Sequence, residues 1–204
     1  MTEKTKITLS NKEQELVNNT DWILTKKGII QKVYDLFGEL LIPMQRTIVA
    51  DIALLPAEVN SNYPKISKGE NYKELPYVVL DYPRCFEKEG ALAIRTFFWW
   101  GNFFSINLQL SGKHKIKAEP ILVERFSMLC EKGYAICVST DPWQHHFEED
   151  NYAPLKNYTP EDFKLLLHSK DFIKLAKSIP VQHWNDVPAF IEQSFIELIT
   201  LLRG

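Results

Sequence analysis

Residues 90–112 read GALAIRTFFWWGNFFSINLQLSG, and the pairing within this stretch decides the fold. Two runs of strand-like composition flank Trp100-Gly101-Asn102, where glycine or asparagine supplies the positive φ that a tight hairpin loop needs. A three-residue loop pairs Trp99 with Phe103, Phe98 with Phe104, Thr96 with Ile106 and Ile94 with Leu108. One face then carries Leu92, Ile94, Thr96, Phe98, Phe104, Ile106, Leu108 and Leu110, and reads as core. The other carries Arg95, Phe97, Trp99, Phe103, Ser105, Asn107 and Gln109. A two-residue Gly-Asn turn would set Arg95 beside Leu108 and mix polar with apolar on both faces. A slip of one residue inverts every side chain, so the segregated register is expected.

The outer face admits three readings. A helix packs on its aromatic end while Arg95 forms a salt bridge. Alternatively, the face is a concave pocket with Arg95 as anion clamp and the aromatic rings as walls, the mixture typical of ligand sites. In the third reading the aromatic residues form an exposed patch for another protein.

The neighbouring segments bear on that choice. Residues 76–84, PYVVLDYPR, read as a strand with Tyr77, Val79 and Asp81 on one face. Asp81 is a charge inside an apolar run, and pairing with Arg95 or Arg84 is its simplest role; a ligand-orienting or acid/base role is the alternative. Residues 134–140, YAICVST, read as a further buried strand that opens into DPWQHHFEED (141–150). His145 or His146 could enter a pocket as a general base from such a loop. His145, His146, Glu148, Glu149 and Asp150 have metal-ligand chemistry, but HExxH is absent and adjacent histidines seldom hold one ion, so no metal is expected. A solvent-exposed loop is the simplest reading of the segment.

Helical patterns fill the rest. Ser10 with Glu13 forms a capping box. From Thr20 the apolar residues Trp22, Ile23, Ile30, Val33, Phe37, Leu40 and Leu41 recur at helical spacing, and Pro43 is expected to kink or end that helix. Residues 56–75 read as a long polar loop containing Lys65, Lys68, Glu70, Asn71 and Tyr72, and KHKIK (113–117) as a solvated strand extension. A helix is expected over 118–132, closed by Gly133. Thr159-Pro160-Glu161-Asp162 is a helix start, with the apolar face running to about Lys177, in one piece or in two around Ser169. Residues 179–187 read as a linker or short strand, and Pro188 opens a last helix. That helix is apolar nearly all round, as expected for packing between other elements or at a homodimer contact.

Composition bounds the function. The chain has 204 residues, 45% hydrophobic and 25% charged, which suits a single α+β domain over 1–204 with a sizeable core. A net charge of −2 without a basic block argues against nucleic acid as partner. Cys85, Cys130 and Cys137 form no CxxC and fit reduced thiols of a cytoplasmic protein. The polar N-terminus carries no signal-peptide pattern, residues 1–9 read as a frayed lead, and no apolar run reaches membrane-spanning length. GxGxxG, GxxxxGK[ST] and GxSxG are absent, so no nucleotide cofactor or nucleophile elbow is expected.

The blocks KGENYKELPYVVLDYPR (68–84) and IRTFFWWGNFFSINLQLSGKH (94–114) resemble an uncharacterised family of small bacterial proteins of unknown function. The resemblance covers Lys68 to His114 and implies no activity, cofactor or catalytic residue.

The expected architecture is a mainly antiparallel four-stranded sheet (77–82, 91–99, 103–111, 134–139) flanked by N- and C-terminal helices. The expected function is binding of a small anionic metabolite, or a small enzyme, with the pocket over Tyr77, Arg95, Trp99, Ser105 and Asn107. Asp81, His145 and His146 are its candidate proton-handling groups; whether any reaction occurs stays open. The alternative is a non-catalytic interaction module that uses Trp99, Trp100 and Phe103 at the hairpin tip as anchors.

Overall fold

The computed structural model describes residues 7–60 and 63–203; residues 1–6 of the expected frayed lead lie outside them. In chain order the elements are α1 (Asn11–Asn18), α2 (Thr20–Asp51), β1 (Lys65–Tyr72), β2 (Leu75–Glu87), β3 (Gly90–Trp99) and β4 (Phe103–Ser111). There follow α3 (Gly112–Glu124), α4 (Phe126–Glu131), β5 (Ala135–Cys137), β6 (Tyr152–Pro154), α5 (Pro160–Ser169), β7 (Phe172–Pro180) and α6 (Val187–Thr200). Among the described residues the strands form one antiparallel sheet of seven, ordered β1-β2-β3-β4-β7-β5-β6.

The α+β class with flanking helices is as expected; the strand number is not four but seven. The β3–β4 hairpin has the segregated register, with Trp99 opposite Phe103, Thr96 opposite Ile106 and Ile94 opposite Leu108. Gly101 takes the positive φ of the loop. All eight residues of the apolar face are buried. At roughly 1.5–3 kcal/mol for each large aliphatic or aromatic side chain removed from water, this face anchors the core.

Three strands went unread, each for a physical reason. β1 lies within the expected 56–75 loop; it is an edge strand, polar and lysine-bearing, a composition that blunts edge pairing. β6 is only three residues long. β7 occupies residues expected to continue the 159–177 helix. In its sequence FIKLAKSIP, Ile173, Leu175, Lys177 and Ile179 fall on the core side, so Lys177 interrupts the alternation and the apolar residues fit a period of 2 or of 3.6 almost equally. The helix start itself is as expected: Thr159 and Asp162 form a reciprocal cap on α5.

Two helices also depart from expectation. α2 continues through Pro43 to Asp51, because Ile30, Val33, Phe37, Leu40, Met44 and Ile48 give it one unbroken buried stripe. The 113–117 segment is the first part of α3, with His114 buried, and not a strand extension; the expected helix over 118–132 is divided between α3 and α4. α2, α3 and α6 contact the hairpin side of the sheet. Phe37 meets Phe104 edge-on at 6.3 Å between centroids, and Tyr82 stacks on Phe195.

Among the described residues the opposite face is covered by a loop and by no helix. Residues 138–151 leave β5, cross that face and return as β6. Among the described residues no helix is long and apolar enough to cross a membrane.

Candidate functional site

β2 and β3 place Asp81 directly opposite Arg95, and β4 places Asn107 on the other side of Arg95. The Asp81 carboxylate accepts from Arg95 Nε at 2.7 Å and from Nη2 at 2.9 Å, a two-pronged ion pair with both side chains largely shielded from water. Arg95 Nη1 lies 3.1 Å from His145 Nε2. His145 Nδ1 in turn lies 3.3 Å from Lys174 Nζ. Lys174 donates to the carbonyls of Pro142 at 2.9 Å and Gln144 at 2.5 Å. Asp81, Arg95, His145 and Lys174 thus form a continuous chain of contacts across the sheet.

The hydrogen-bonding inventory fixes the protons. A guanidinium can only donate, so His145 Nε2 accepts from Arg95. In a neutral imidazole the remaining proton sits on Nδ1 and points at Lys174 Nζ. Only an uncharged amine has a lone pair to receive it, and its two N–H bonds then match the two carbonyls. The electrostatics agree. Burial brings the Lys174 ammonium down to about 7, opposed first by Cys137; the Arg95 charge adds to the lowering and Asp141 opposes it. Burial, followed by Lys174 and Arg95, holds the His145 imidazolium well below its usual range. Above about pH 7 neither Lys174 nor His145 carries a positive charge.

Tyr72 fastens the loop over the sheet. Its hydroxyl oxygen accepts the backbone N–H of His145 at 2.6 Å and of His146 at 3.0 Å. The ring packs edge-on against Tyr77, Phe97 and Trp99, and burial raises its phenol above the ordinary range. At the other end Lys170 donates to the carbonyls of Val138 and Ser139. Phe147 stacks on Tyr152 and meets Phe103 edge-on.

Between this loop and the sheet lies a cleft of about 270 Å³ lined by Ser67, Tyr72, Tyr77, Val79, Arg95, Phe97, Trp143 and His145. Trp143 stands over the Arg95 guanidinium at 5.5 Å. Larger hollows exist between α3 and α5, about 610 Å³, and beside α2, about 390 Å³. Volume is the weaker guide here, because in the cleft fixed polar groups converge on an aromatic surround, the combination that defines ligand sites.

The expected site residues divide. Arg95, Tyr77 and His145 line the cleft, with Asp81 bound to Arg95. Trp99, Ser105 and Asn107 share the sheet face but are buried and do not line it. Trp99 donates its indole N–H to the Tyr72 carbonyl, and Asn107 donates to the Arg95 carbonyl at 3.3 Å. His146 points away from the cleft toward Glu148 and Asp150. Ser67, Trp143 and Lys174 were missed. Period-2 reading of FIKLAKSIP would have flagged Lys174, a cation alternating onto the Arg95 face. Cys137 is buried, donates weakly to Asn151, and has its thiol pushed up by burial.

Comparison of the chain with protein-family models, with curated proteins and with solved structures finds no match.

Proposed function

We propose that this protein binds a small organic anion in the cleft over Arg95. The supporting observation is that Arg95 lies in the cleft wall with N–H groups left over from its contacts with Asp81 and His145. A guanidinium has five N–H donors, and those contacts use three. A carboxylate would take the remainder, while the flat body of the ligand lies between Trp143 and the Tyr77–Phe97 stack. The cleft is slightly smaller than the roughly 300–1,000 Å³ of typical drug-sized sites, so the ligand is small.

Binding is favoured over catalysis. Both oxygens of Asp81 are held by Arg95, and both nitrogens of His145 are engaged, so neither is free to move a proton. The packing at the hairpin tip weighs against an interaction module. Trp99 is 7% exposed, and Trp100 packs edge-on against Trp22 at 6.2 Å.

A thermal-shift screen of small aromatic and heteroaromatic carboxylates tests the reading. Wild type should gain stability with a subset of them, and Trp143→Ala, at a half-exposed position, should lose that gain while keeping its own unfolding transition. Absence of any stabilising carboxylate, or equal stabilisation of the variant, overturns it.

A further inference from the structure

On the outer side of the same loop, His146 Nδ1 lies 3.3 Å from Glu148 Oε2 and 3.7 Å from Asp150 Oδ1. The three ligand atoms all fall within 4.8 Å of one another. His146 is 3% exposed, and its Nδ1 has no hydrogen-bond partner in spite of that proximity. A buried polar nitrogen without a partner requires an explanation. At 3.3 Å a missing hydrogen bond means that the carboxylate oxygen stands off the axis of the nitrogen. Two ligands of one ion have that relation, since each points at the metal and not at the other.

We propose that His146, Glu148 and Asp150 bind a divalent first-row transition ion, with Zn²⁺ as the representative species. Ligand atoms at about 2.0–2.2 Å from one tetrahedral ion stand about 3.3–3.6 Å apart, so from a spread of 4.8 Å the carboxylates need to close by at most about 1.5 Å. An imidazole with two carboxylates favours Zn²⁺, Mn²⁺ or Co²⁺ over Mg²⁺ and Ca²⁺, which prefer oxygen alone. The histidine is held in place from behind. The His146 carbonyl accepts from Asn151 Nδ2 at 2.5 Å, and the backbone N–H groups of Asn151 and Tyr152 both reach the Glu148 carbonyl. Glu148 and Asp150 are 63% and 75% exposed at their side chains, which leaves the remaining coordination positions to water. Lys73 donates to Glu148 Oε2 at 2.9 Å and competes with the ion. The ion would clamp residues 146–150 into one turn. The proposal is independent of the cleft's ligand.

Titration calorimetry at neutral pH with ZnCl₂ tests it, with MgCl₂ as the comparison. One equivalent of Zn²⁺ should bind and raise the melting temperature. Glu148→Gln and Asp150→Asn, both at exposed positions, should each weaken binding by at least about tenfold. Lys73→Met should tighten it severalfold. Co²⁺ should give visible d–d absorption that the double variant Glu148→Gln/Asp150→Asn abolishes. Four results overturn the assignment: no Zn²⁺ binding at millimolar concentration; equal binding by that double variant, which would point to cysteines; no gain in Lys73→Met; or Mg²⁺ binding as tightly as Zn²⁺.

Discussion

The Asp81 carboxylate takes two of the five N–H donors of Arg95, and that pair governs the outer face of the sheet. Its value lies in mutual dependence. Removing either member leaves a largely shielded charge without its partner, a loss on the order of 3 kcal/mol, whereas removing both leaves no orphan. Arg95→Met and Asp81→Leu should therefore each destabilise strongly, and the double variant should cost clearly less than their sum. Urea unfolding of the four proteins measures the coupling; additive losses would show that the pair is energetically idle. Tyr72 poses a different residue-scale question, because its oxygen is the shared acceptor for two backbone N–H groups of the covering loop. Tyr72→Phe keeps the ring contacts with Phe97 and Trp99 and removes that acceptor. Hydrogen exchange at the His145 and His146 amides should accelerate by roughly one to two orders of magnitude, the equivalent of about 1–3 kcal/mol per unsatisfied group. The amides of β3 and β4 should be unaffected.

At the level of elements, the junction between β4 and α3 is the most constrained point of the hairpin. Gly112 has φ +53°, and a Cβ there would run into the Glu89 carbonyl oxygen, which already accepts the Lys113 N–H at 3.1 Å. Gly112→Ala should cost about 2–4 kcal/mol through combined strain and collision, read as a lower urea midpoint at unchanged slope. Gly101→Ala at the open hairpin tip meets no neighbour and should cost only the price of its left-handed φ. The hairpin was legible because its two faces differ so sharply that one register alone segregates them. β1 and β7 were not, since an edge strand is polar without penalty and a nine-residue segment broken by Lys174, Lys177 and Ser178 has no decisive period. Pro43 misled for a related reason: tertiary burial of the α2 stripe outweighs the loss of one helix hydrogen bond.

In the molecule as a whole, one face of the sheet is closed by helices and the other by a loop tied down through lysines and a tyrosine. The ion pair of the candidate site could be read in sequence, because Asp81 and Arg95 fall opposite each other once the hairpin register and a neighbouring strand are set. The cleft could not. It depends on residues 138–151 folding back over β7, a strand formed by residues whose pattern predicts a helix. Lys174 is a consequence of that topology that bears on global stability. It is fully buried among Arg95, Cys137, Asp141, His145 and Tyr152, and in the folded protein it loses its proton near pH 7 against 10.5 for a free lysine. Between those values the unfolded chain holds a proton that the native protein does not. Native stability should therefore rise with pH from about 7 upward, at up to about 1.4 kcal/mol per pH unit, and the lysine's contribution should level off below 7, where both states are protonated. Lys174→Met removes this slope while leaving the other titrations in place. Comparing wild type with the variant by urea unfolding between pH 7 and 8, below the ordinary cysteine value of about 8.5, isolates the lysine. A stability difference that stays constant over that interval would mean that Lys174 keeps its charge in the core, and the neutral-amine arrangement with His145 would have to be abandoned.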